Sequence, residues 1–390
     1  MPLAPERKEN ASGPRKTVMI VAGEASGDGH GAKLVRALNK RSGTPIRFVG
    51  IGGRALRKAG MEVVVDASTL SVVGITEVFA KAGNILKGMS AAKRLLKKLH
   101  PDLLILIDFP DFNLHLAGFA KKVGVPVLYY ISPQVWAWRS GRVRTIGRRV
   151  DHMAVILPFE QHFYQRHKVP VTFVGHPLMD RSNQPSAANP NGPAPETVSV
   201  IGLLPGSRDG EVEKLLPEML KAANLLQQKH RSLSFLVSVS DSVSEARVRD
   251  ILSQHRGAAA VEIVDRGVEA VFQRSGFVIA ASGTVTLEAA IAGVPMVVIY
   301  KVSPTSYRLG KALIRVDHIS LVHLISDKRL VPELIQSDAS PRKIADTVDR
   351  MLSSPSGLKR IRDELMILRD RLGGPGASER VAEIALNLLR

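Results

Sequence analysis

Two glycine-bearing turns, each lying between an apolar run and a helical pattern, constrain the fold of this 390-residue chain more than any other feature. The first is Gly-Glu-Ala-Ser-Gly-Asp at residues 23–28, after the apolar run 17–22. The second is Leu-Leu-Pro-Gly-Ser-Arg at residues 203–208, after the run 198–202. In α/β proteins such turns join a strand to a helix at the sheet edge where ligands bind. Two of them, half a chain apart, predict two doubly wound, Rossmann-like α/β domains facing a cleft.

Apolar runs alternate with helical patterns through both halves of the chain, which is typical of parallel sheets. We expect strands near residues 17–22, 46–50, 103–108, 126–131, 153–157, 198–204, 233–239, 260–264, 276–281 and 295–300. We expect helices near residues 29–40, 83–99, 112–123, 210–229, 243–256, 284–292, 305–314, 342–353, 357–371 and 377–389. The predicted order of segments is a disordered tail (1–16), an N-terminal domain (17–181), a proline-rich linker (182–197), a second domain (198–355) and C-terminal helices (356–390).

The positive charge of the chain is concentrated in its first half. Residues 1–180 contain 27 Lys and Arg against 13 Asp and Glu, whereas the remaining residues contain 27 against 23. A basic half indicates an anionic partner, and an anionic lipid surface or a phosphorylated substrate fits this charge as well as nucleic acid does. Trp136 and Trp138 are not interleaved with basic residues as the stacking platforms of nucleic-acid-binding proteins are, so we expect no nucleic-acid partner.

Several classes of protein are excluded or disfavoured by composition. Cysteine is absent, which excludes disulfides, thiolate metal sites and a cysteine nucleophile. The histidines show no metal-ligand spacing, so we expect no metal. No stretch approaches the ~20 apolar residues of a spanning helix, and residues 1–16 do not resemble a signal peptide. We therefore expect a cytoplasmic protein or one held at a membrane surface.

Asp108 is the first candidate for chemistry. It follows the continuous apolar run 103–107, at the carboxyl end of a predicted buried strand, where ligands bind in this architecture. A carboxylate there can act as a general base. The alternative is that Asp108 or Asp111 only caps the helix that begins near Phe112. We favour the functional interpretation for Asp108 and the capping interpretation for Asp111.

Ser207 and Arg208 predict a phosphate site in the second half. They lie between a strand and a helix, so backbone N–H groups and a guanidinium can converge on one phosphate. The planar guanidinium can also donate two hydrogen bonds to a diphosphate. A surface arginine without a ligand is the alternative.

Ser282, Gly283 and Thr284 form a similar junction between a buried strand and a helix, with hydroxyl groups where a second phosphate can bind. Glu288 lies one turn into that helix. It can accept hydrogen bonds from both hydroxyls of a ribose, or it can simply complement the helix dipole.

An apolar segment beside a basic helix predicts a membrane-surface site. Val72, Val73 and Ile75 belong to the apolar segment, and Lys93 and Arg94 to the helix that follows. Burial of apolar side chains and attraction to anionic headgroups add to each other at a bilayer surface. An ordinary amphipathic core helix with a solvated face is the alternative.

Together these stretches resemble the lipid-A-disaccharide synthases, which are inverting glycosyltransferases of the two-domain GT-B type. The resemblance runs from about residue 18 to residue 336. It is carried by these motifs in the same order: Gly-Glu-Ala-Ser-Gly-Asp (23–28), Ile-Asp-Phe-Pro-Asp-Phe-Asn (107–113), Ser-Pro-Gln-Val-Trp-Ala-Trp-Arg (132–139), Leu-Pro-Phe-Glu (157–160), Gly-His-Pro (175–177), Leu-Leu-Pro-Gly-Ser-Arg (203–208) and Ala-Ser-Gly-Thr (281–284).

The resemblance implies a hexosyltransferase of lipid A and lipopolysaccharide biosynthesis. Such an enzyme joins UDP-2,3-diacylglucosamine to 2,3-diacylglucosamine 1-phosphate (lipid X) through a β-1,6 bond and releases UDP. The resemblance also implies peripheral attachment to the cytoplasmic face of the inner membrane and no cofactor, and it is compatible with a homodimer.

The resemblance also implies roles for particular residues. Asp108 corresponds to the essential carboxylate of the family and Arg208 to its essential phosphate ligand. We further predict an active-site loop on the acceptor side that contains Glu24, Ser26, Gly27 and Asp28. Glu24 has the same ambiguity as Glu288, because a carboxylate at the start of a helix can serve only that helix.

One position departs from the family pattern. The family's Ser-Leu-Pro-Asn is Ser-Leu-Val-His at residues 320–323, so His323 replaces a functional asparagine. We include His323 among the predicted catalytic residues because imidazole also donates a hydrogen bond and adds a titratable ring. Two other classes stay open. Another UDP-sugar enzyme of GT-B type, such as an epimerase, leaves the apolar and basic segment unexplained, and a non-catalytic UDP- or lipid-binding protein is consistent with the departure at His323.

Overall fold

The computed structural model describes residues 15–70, 75–137, 140–180, 198–240, 242–255, 257, 259–264, 267–303, 307 and 320–389. The chain divides into two compact units. The first comprises Met1–Pro177 and Gly376–Arg390, and the second comprises Leu178–Pro375. Each unit contains a parallel sheet flanked by helices, which confirms the predicted pair of α/β domains.

The described residues form thirteen strands and fourteen α-helices. The strands are β1 Lys16–Ala22, β2 Ile46–Gly52, β3 Glu62–Asp66, β4 Leu103–Ile107, β5 Val127–Tyr130, β6 His152–Val155, β7 Val171–Phe173, β8 Val200–Leu204, β9 Ser234–Ser238, β10 Val261–Val264, β11 Phe277–Ala281, β12 Met296–Tyr300 and β13 Glu333–Ile335. The helices are α1 Ala25–Arg41, α2 Arg54–Lys58, α3 Ile75–Leu99, α4 Pro110–Lys122, α5 Val143–Arg149, α6 Pro158–Arg166, α7 Asp209–Lys229, α8 Glu245–Gln254, α9 Gly267–Arg274, α10 Thr284–Ile291, α11 Leu321–Ser326, α12 Pro341–Leu352, α13 Pro355–Arg371 and α14 Ala377–Leu388.

Both sheets reverse their strand order at one internal point. The order in the first unit is β3-β2-β1-β4-β5-β6-β7, and the order in the second is β10-β9-β8-β11-β12-β13. The chain therefore leaves β1 toward one edge and returns to β4 on the other side of it, and β8 and β11 are related in the same way. In doubly wound folds ligands bind at the carboxyl ends of the two strands that flank this reversal. The turns after β1, β4, β8 and β11 carry most of the predicted site residues.

The apolar runs become central strands because they can be covered on both faces. Every residue of β4, Leu103–Ile107, is buried, as expected for a parallel strand between two helical layers. One layer packs α3, α4 and α5 against the sheet, through side chains that include Leu96, Leu116 and Ile146. The opposite layer contains α1 and α14.

The C-terminal helix α14 belongs to the first unit. Val381 and Ala385 lie in the same apolar core as Leu34 of α1. Arg380 donates a hydrogen bond from Nε to the carbonyl oxygen of Val174 at 2.8 Å. The predicted segment 356–390 is thus divided, with α13 in the second unit and α14 in the first. The apolar stripe of α14 explains this, since it is buried against α1.

The strands that the sequence pattern missed all lie at sheet edges. β3 and β7 are the two edges of the first sheet, and β13 is an edge of the second. Their residues are half-buried or exposed, because an edge strand has a neighbour on one side only. Each of the three also contains a polar residue, such as Glu62 in β3, Thr172 in β7 and Glu333 in β13, so none is a long continuous apolar run.

Some predictions fall on residues outside the described part of the chain. These are the linker (182–197), Trp138, most of the tail and nearly all of the helix expected near 305–314. Lys16, which was assigned to the tail, is instead the first residue of β1. Within the described residues no helix is long and apolar enough to cross a bilayer.

A buried carboxyl group joins two loops at the carboxyl edge of the first sheet. Glu160, near the start of α6, is 1% exposed and accepts hydrogen bonds from Trp136 Nε1 at 3.1 Å and from the N–H of Leu157 at 3.1 Å. The Trp136 ring also packs edge-on against Phe159. Burial raises the pKa of Glu160 to about 7, although these donors oppose the rise. The hydrogen bond from Trp136 to Glu160 holds the loop that follows β5 against the start of α6.

This burial predicts a pH-dependent contribution of Glu160 to stability. The pKa is higher in the folded chain than in the unfolded one, so Glu160 stabilises the fold less as pH rises from about 4.5 through about 7. Glu160→Gln removes this ionisation. We expect thermal unfolding to show that the variant gains on the order of 2 kcal/mol over the native protein between pH 5 and pH 8.

Glu379→Gln is the matched control, because Glu379 occupies the same third helical position in α14 but is exposed. Glu379→Gln should therefore not reproduce the gain in stability, relative to the native protein, that is expected of Glu160→Gln between pH 5 and pH 8. Parallel pH profiles of stability for Glu160→Gln and the native protein would contradict the assignment.

Candidate active site

The turns after β1 and β4 are in direct contact in the first unit. Ala22 pairs with Ile107 in the parallel register, so Gly23 and Asp108 are the next residues of neighbouring strands. The Phe109 ring covers Gly23 so closely that a Cβ atom there would lie 2.3 Å from it. This packing requires glycine at position 23 and brings the two turns together at the reversal of the sheet.

Asp108 occupies a strained backbone conformation in a half-buried environment. Both Asp108 and Phe109 have positive φ angles, 48° and 50°, which are costly for residues with a side chain. Burial raises the pKa of the Asp108 carboxyl to about 6, and the nearby negative charge of Glu24 adds to the rise. The result is a carboxyl group that is ionised at neutral pH and more basic than an ordinary aspartate, as a general base requires.

Two residues that sequence reasoning did not select hold the backbone of Asp108. Asn113 Nδ2 and the Tyr129 hydroxyl each donate a hydrogen bond to the carbonyl oxygen of Asp108, both at 2.6 Å. The N–H of Asp108 donates to the carbonyl oxygen of Tyr130 at 3.2 Å. An asparagine five residues after a strand-end carboxylate, near the start of a helix, was the available signal for Asn113. Nothing in the sequence pattern indicated Tyr129.

The four predicted residues of the active-site loop have different surroundings. Glu24 is exposed at the N-terminal cap of α1, close enough for its charge to affect Asp108. Ser26 is exposed, and Gly27 is buried against Ala22 and Ile107.

The Asp28 carboxylate is used within the protein. Its oxygens accept hydrogen bonds from the N–H groups of Gly53, Ala55 and Leu56, at 2.6, 2.7 and 3.2 Å. These groups begin helix α2. Asp28 therefore caps a helix, and its role in acceptor binding stays a prediction.

In the second unit, the turn after β8 presents Arg208 at the N-terminus of the 21-residue helix α7. Gly206 has a φ of 117°, a conformation that favours glycine, and allows the chain to turn there. The Arg208 guanidinium is 64% exposed and pairs with Glu211 through Nη1 and Oε1 at 3.0 Å. Glu211 also lies 3.3 Å from the N–H of Ser207. Sequence reasoning missed this carboxylate, whose spacing of three residues from Arg208 on a helix was the signal.

The turn after β11 lies beside the Arg208 turn. Leu204 pairs with Ala280, so the residues that follow each strand are neighbours at the reversal of the second sheet. Gly283 and Thr284 are exposed, and Ser282 and Glu288 are half-buried. Among the described residues, apart from the two chain neighbours of Gly283, no atom lies within 4 Å of a Cβ placed on that glycine. This open turn, with the N-terminus of α10 behind it, leaves space for an anionic ligand.

His323 is buried and held by the protein itself. It is 1% exposed, its Nε2 accepts a hydrogen bond from the N–H of Val331 at 3.2 Å, and its Nδ1 lies 3.1 Å from Glu333 Oε1. The same Glu333 oxygen accepts from the N–H of Ser320 at 2.7 Å. Both ring nitrogens therefore face groups that join α11 to β13. This arrangement favours a structural role for His323 over the predicted catalytic one.

The described part of α3 together with α4 and α5 forms a basic surface on one face of the first sheet. Val72 and Val73 lie outside the described residues, as does the side chain of Ile75. Arg94 is exposed, and Lys93 Nζ lies 5.8 Å from the centre of the Phe119 ring. The described parts of the three helices contain ten basic side chains and one acidic side chain, Asp111. The basic residues are Lys87, Lys93, Arg94, Lys97, Lys98, Lys121, Lys122, Arg144, Arg148 and Arg149.

The predicted residues thus assemble into two sites, one in each unit. Glu24 lies beside Asp108 in the first, and Arg208 lies beside the 282–284 turn in the second. Solved structures share this fold at low sequence identity. A UDP-GlcNAc 2-epimerase from Neisseria meningitidis, bound to UDP-GlcNAc, has a TM-score of 0.60 at 13% identity over 95% of this chain and 100% of that one. A UDP-glucosyltransferase from Polygonum tinctorium has a TM-score of 0.62 at 14% identity over 97% and 99%.

Sequence comparison identifies the family. A lipid-A-disaccharide synthase from Geobacter sulfurreducens is 48% identical over 376 residues, which cover 95% of this chain and 97% of that protein. One from Syntrophus aciditrophicus is 49% identical over 379 residues, 96% of this chain and 98% of that protein. A family model described as "Lipid-A-disaccharide synthetase" matches residues 18–372. The chain therefore belongs to the lipid-A-disaccharide synthetase family.

Proposed function

We propose that this protein joins UDP-2,3-diacylglucosamine to 2,3-diacylglucosamine 1-phosphate through a β-1,6 bond and releases UDP. Its family membership supports a glycosyltransferase that forms the lipid A disaccharide. The observation that carries the proposal is the Asp108 carboxyl group, which has a raised pKa and lies at the reversal of the first sheet. A turnover assay with both diacylated sugars tests it. UDP release that depends on both sugars supports the transfer, whereas binding without turnover contradicts it.

In the proposed mechanism Asp108 accepts the proton of the 6-hydroxyl of the acceptor. The freed oxygen attacks the anomeric carbon of the donor from the side opposite the diphosphate, so the configuration at that carbon inverts. An ordinary aspartate is a weak base at neutral pH, and a pKa of about 6 brings the group closer to the optimum for proton transfer. Glu24 contributes by its charge, which keeps this pKa high.

The leaving diphosphate is assigned to the second unit. Arg208 supplies a fixed positive charge, and the backbone N–H groups at the N-termini of α7 and α10 supply further donors. These turns contain Ser207, Ser282, Gly283 and Thr284, and we assign Glu288 to the ribose hydroxyls. Glu211 is paired with Arg208 in the structure, so UDP must compete with this carboxylate for the guanidinium.

The basic surface of the first unit is assigned to the membrane. Acyl chains of the substrates require a protein that works at a lipid surface, and a surface with ten basic residues and one acidic residue attracts anionic headgroups. Leu86 of α3 is 70% exposed, which supplies apolar area next to those charges. We therefore propose peripheral attachment at the cytoplasmic face of the inner membrane, through α3 and the apolar segment that includes Val72, Val73 and Ile75.

Asp108→Asn should reduce turnover by ~10² to 10⁴, because a positioned general base contributes about that much to rate. UDP affinity should stay within about threefold, since the base does not bind the donor diphosphate. Steady-state kinetics and calorimetry with UDP measure the two quantities. Asp111→Asn is the control, because Asp111 lies three residues away and is exposed. Near-normal turnover of folded Asp108→Asn would refute the assignment.

Arg208→Ala should weaken UDP binding by roughly 10- to 100-fold and lower kcat/KM at least as much, because it removes a charge-assisted hydrogen bond present in both ground and transition states. Calorimetry with UDP measures the affinity. Arg249→Ala is a matched control, since Arg249 is another exposed arginine of this unit paired with a glutamate on its own helix. Equal UDP affinities for the two variants would count against Arg208 as a phosphate ligand.

Replacement of Val72, Val73 and Ile75 by serine should release the protein from anionic phospholipid vesicles at moderate salt, as measured by co-sedimentation. High salt should release the native protein only in part, because ions screen the charges but leave apolar burial intact. Val64→Ser serves as the control, since Val64 is a 48% exposed apolar residue on β3 of the same unit. Failure of the native protein to bind at low salt would overturn the membrane assignment.

A further inference from the structure

The carbonyl group of Asp108 is held by two buried side chains from different elements. Asn113 lies on α4 and Tyr129 on β5, and neither side chain is exposed to solvent. Each places a donor 2.6 Å from the same oxygen atom. Asn113 Nδ2 also lies 3.3 Å from the carbonyl oxygen of Ile107, the preceding residue. We call Asn113 and Tyr129 the carbonyl clamp.

The clamp acts on a strained stretch of the backbone. Asp108 and Phe109 both adopt the left-handed conformation, which is costly for residues with a side chain. A buried hydrogen bond makes a net favourable contribution to stability. Two of them on one oxygen can therefore offset much of the strain at this turn. Without these two hydrogen bonds, the strain favours relaxation of the Asp108 backbone toward an ordinary conformation.

The clamp also fixes the direction of the side chain. The carbonyl oxygen of Asp108 lies in the peptide plane that joins it to Phe109, and its N–H is fixed by Tyr130. With both peptide planes of one residue fixed, the direction of its Cα–Cβ bond is fixed as well. Burial raises the pKa of the Tyr129 hydroxyl well above its usual value, so this group remains protonated and continues to donate across the working pH range.

We propose that Asn113 and Tyr129 are positioning residues for glycosyl transfer, which hold the Asp108 carboxylate in its half-buried, reactive orientation through the carbonyl oxygen of the same residue. This inference rests on the proposed role of Asp108 as the base. Neither side chain is assigned a contact with substrate. Their removal should therefore act on the chemical step and leave donor binding nearly unchanged.

Tyr129→Phe tests the clamp, because it removes one hydroxyl group and little else. We expect kcat to fall by ~10-fold or more, since small misplacements of a reacting group are costly, while UDP affinity stays within about twofold. The loosened carboxylate should become better solvated, which lowers its pKa toward the ordinary value. Because the base must be ionised, the acid limb of the pH profile of kcat should move to lower pH.

Tyr164→Phe is the matched control. Tyr164 is also fully buried, and its hydroxyl lies 2.7 Å from Ser132 Oγ in the same unit, without a bond to Asp108. Loss of this hydroxyl should have a structural cost but leave the acid limb in place. Asn113→Ala is the second clamp variant, and it should reproduce the kinetic effect of Tyr129→Phe. Circular dichroism and UDP affinity establish that each variant is folded.

Asp108→Asn in the same assay separates the two proposals. If Asp108→Asn is inactive while the kcat and acid limb of both clamp variants match those of Tyr164→Phe, the clamp is refuted and the base assignment stands. If Asp108→Asn retains turnover, the base assignment fails. If either folded clamp variant shows the lowered kcat and the shifted acid limb, the clamp is supported.

Discussion

The left-handed turn at Asp108 and Phe109 is the constraint on which the first site depends. It directly follows a strand whose five residues are all buried, so the chain must leave the sheet abruptly to bring a carboxylate to its edge. The turn places the Phe109 ring over Gly23, which draws the β1 turn toward Asp108. The raised pKa of Asp108 follows from this packing, since burial is its main cause and the neighbouring Glu24 is the second. Strain, packing and basicity are thus consequences of one local geometry.

The second site depends on an exposed positive charge that is paired with a carboxylate of the same unit. Arg208, the proposed phosphate ligand, is exposed rather than buried, and its charge is compensated by Glu211 in the first turn of α7. Ser207 is held from the loop that follows β9, because the Ser242 hydroxyl donates a hydrogen bond to its carbonyl oxygen at 2.6 Å. Such a site is preorganised by backbone geometry, while its charged side chain keeps a partner that a diphosphate can replace. The basicity proposed for the first unit and the anion binding proposed for the second therefore have separate physical causes.

Much of the fold could be predicted from the sequence because central parallel strands are apolar throughout and end in glycine-bearing turns. The turns at 23–28 and 203–208 predict the two doubly wound domains, and Asp108 and Arg208 are selected as candidates from their positions after strands. Hydrogen bonds between distant residues leave no such pattern. The capping of α2 by Asp28, the contacts of His323 with Val331 and Glu333, and the bond from Tyr129 to Asp108 all depend on tertiary packing. The burial of α14 against α1 could not be predicted either, because the apolar stripe of α14 shows that the helix packs on a core but does not identify the unit.

The folded chain makes Asp108 an unusually basic carboxylate. ¹³C NMR of protein labelled at the aspartate side-chain carboxyl carbon measures this directly, with the Asp108 signal assigned as the one missing from the spectrum of Asp108→Asn. Titration of that signal should give a pKa of about 6. A midpoint near 4, the ordinary value for aspartate, would show that the turn does not raise the basicity of this group and would contradict the account.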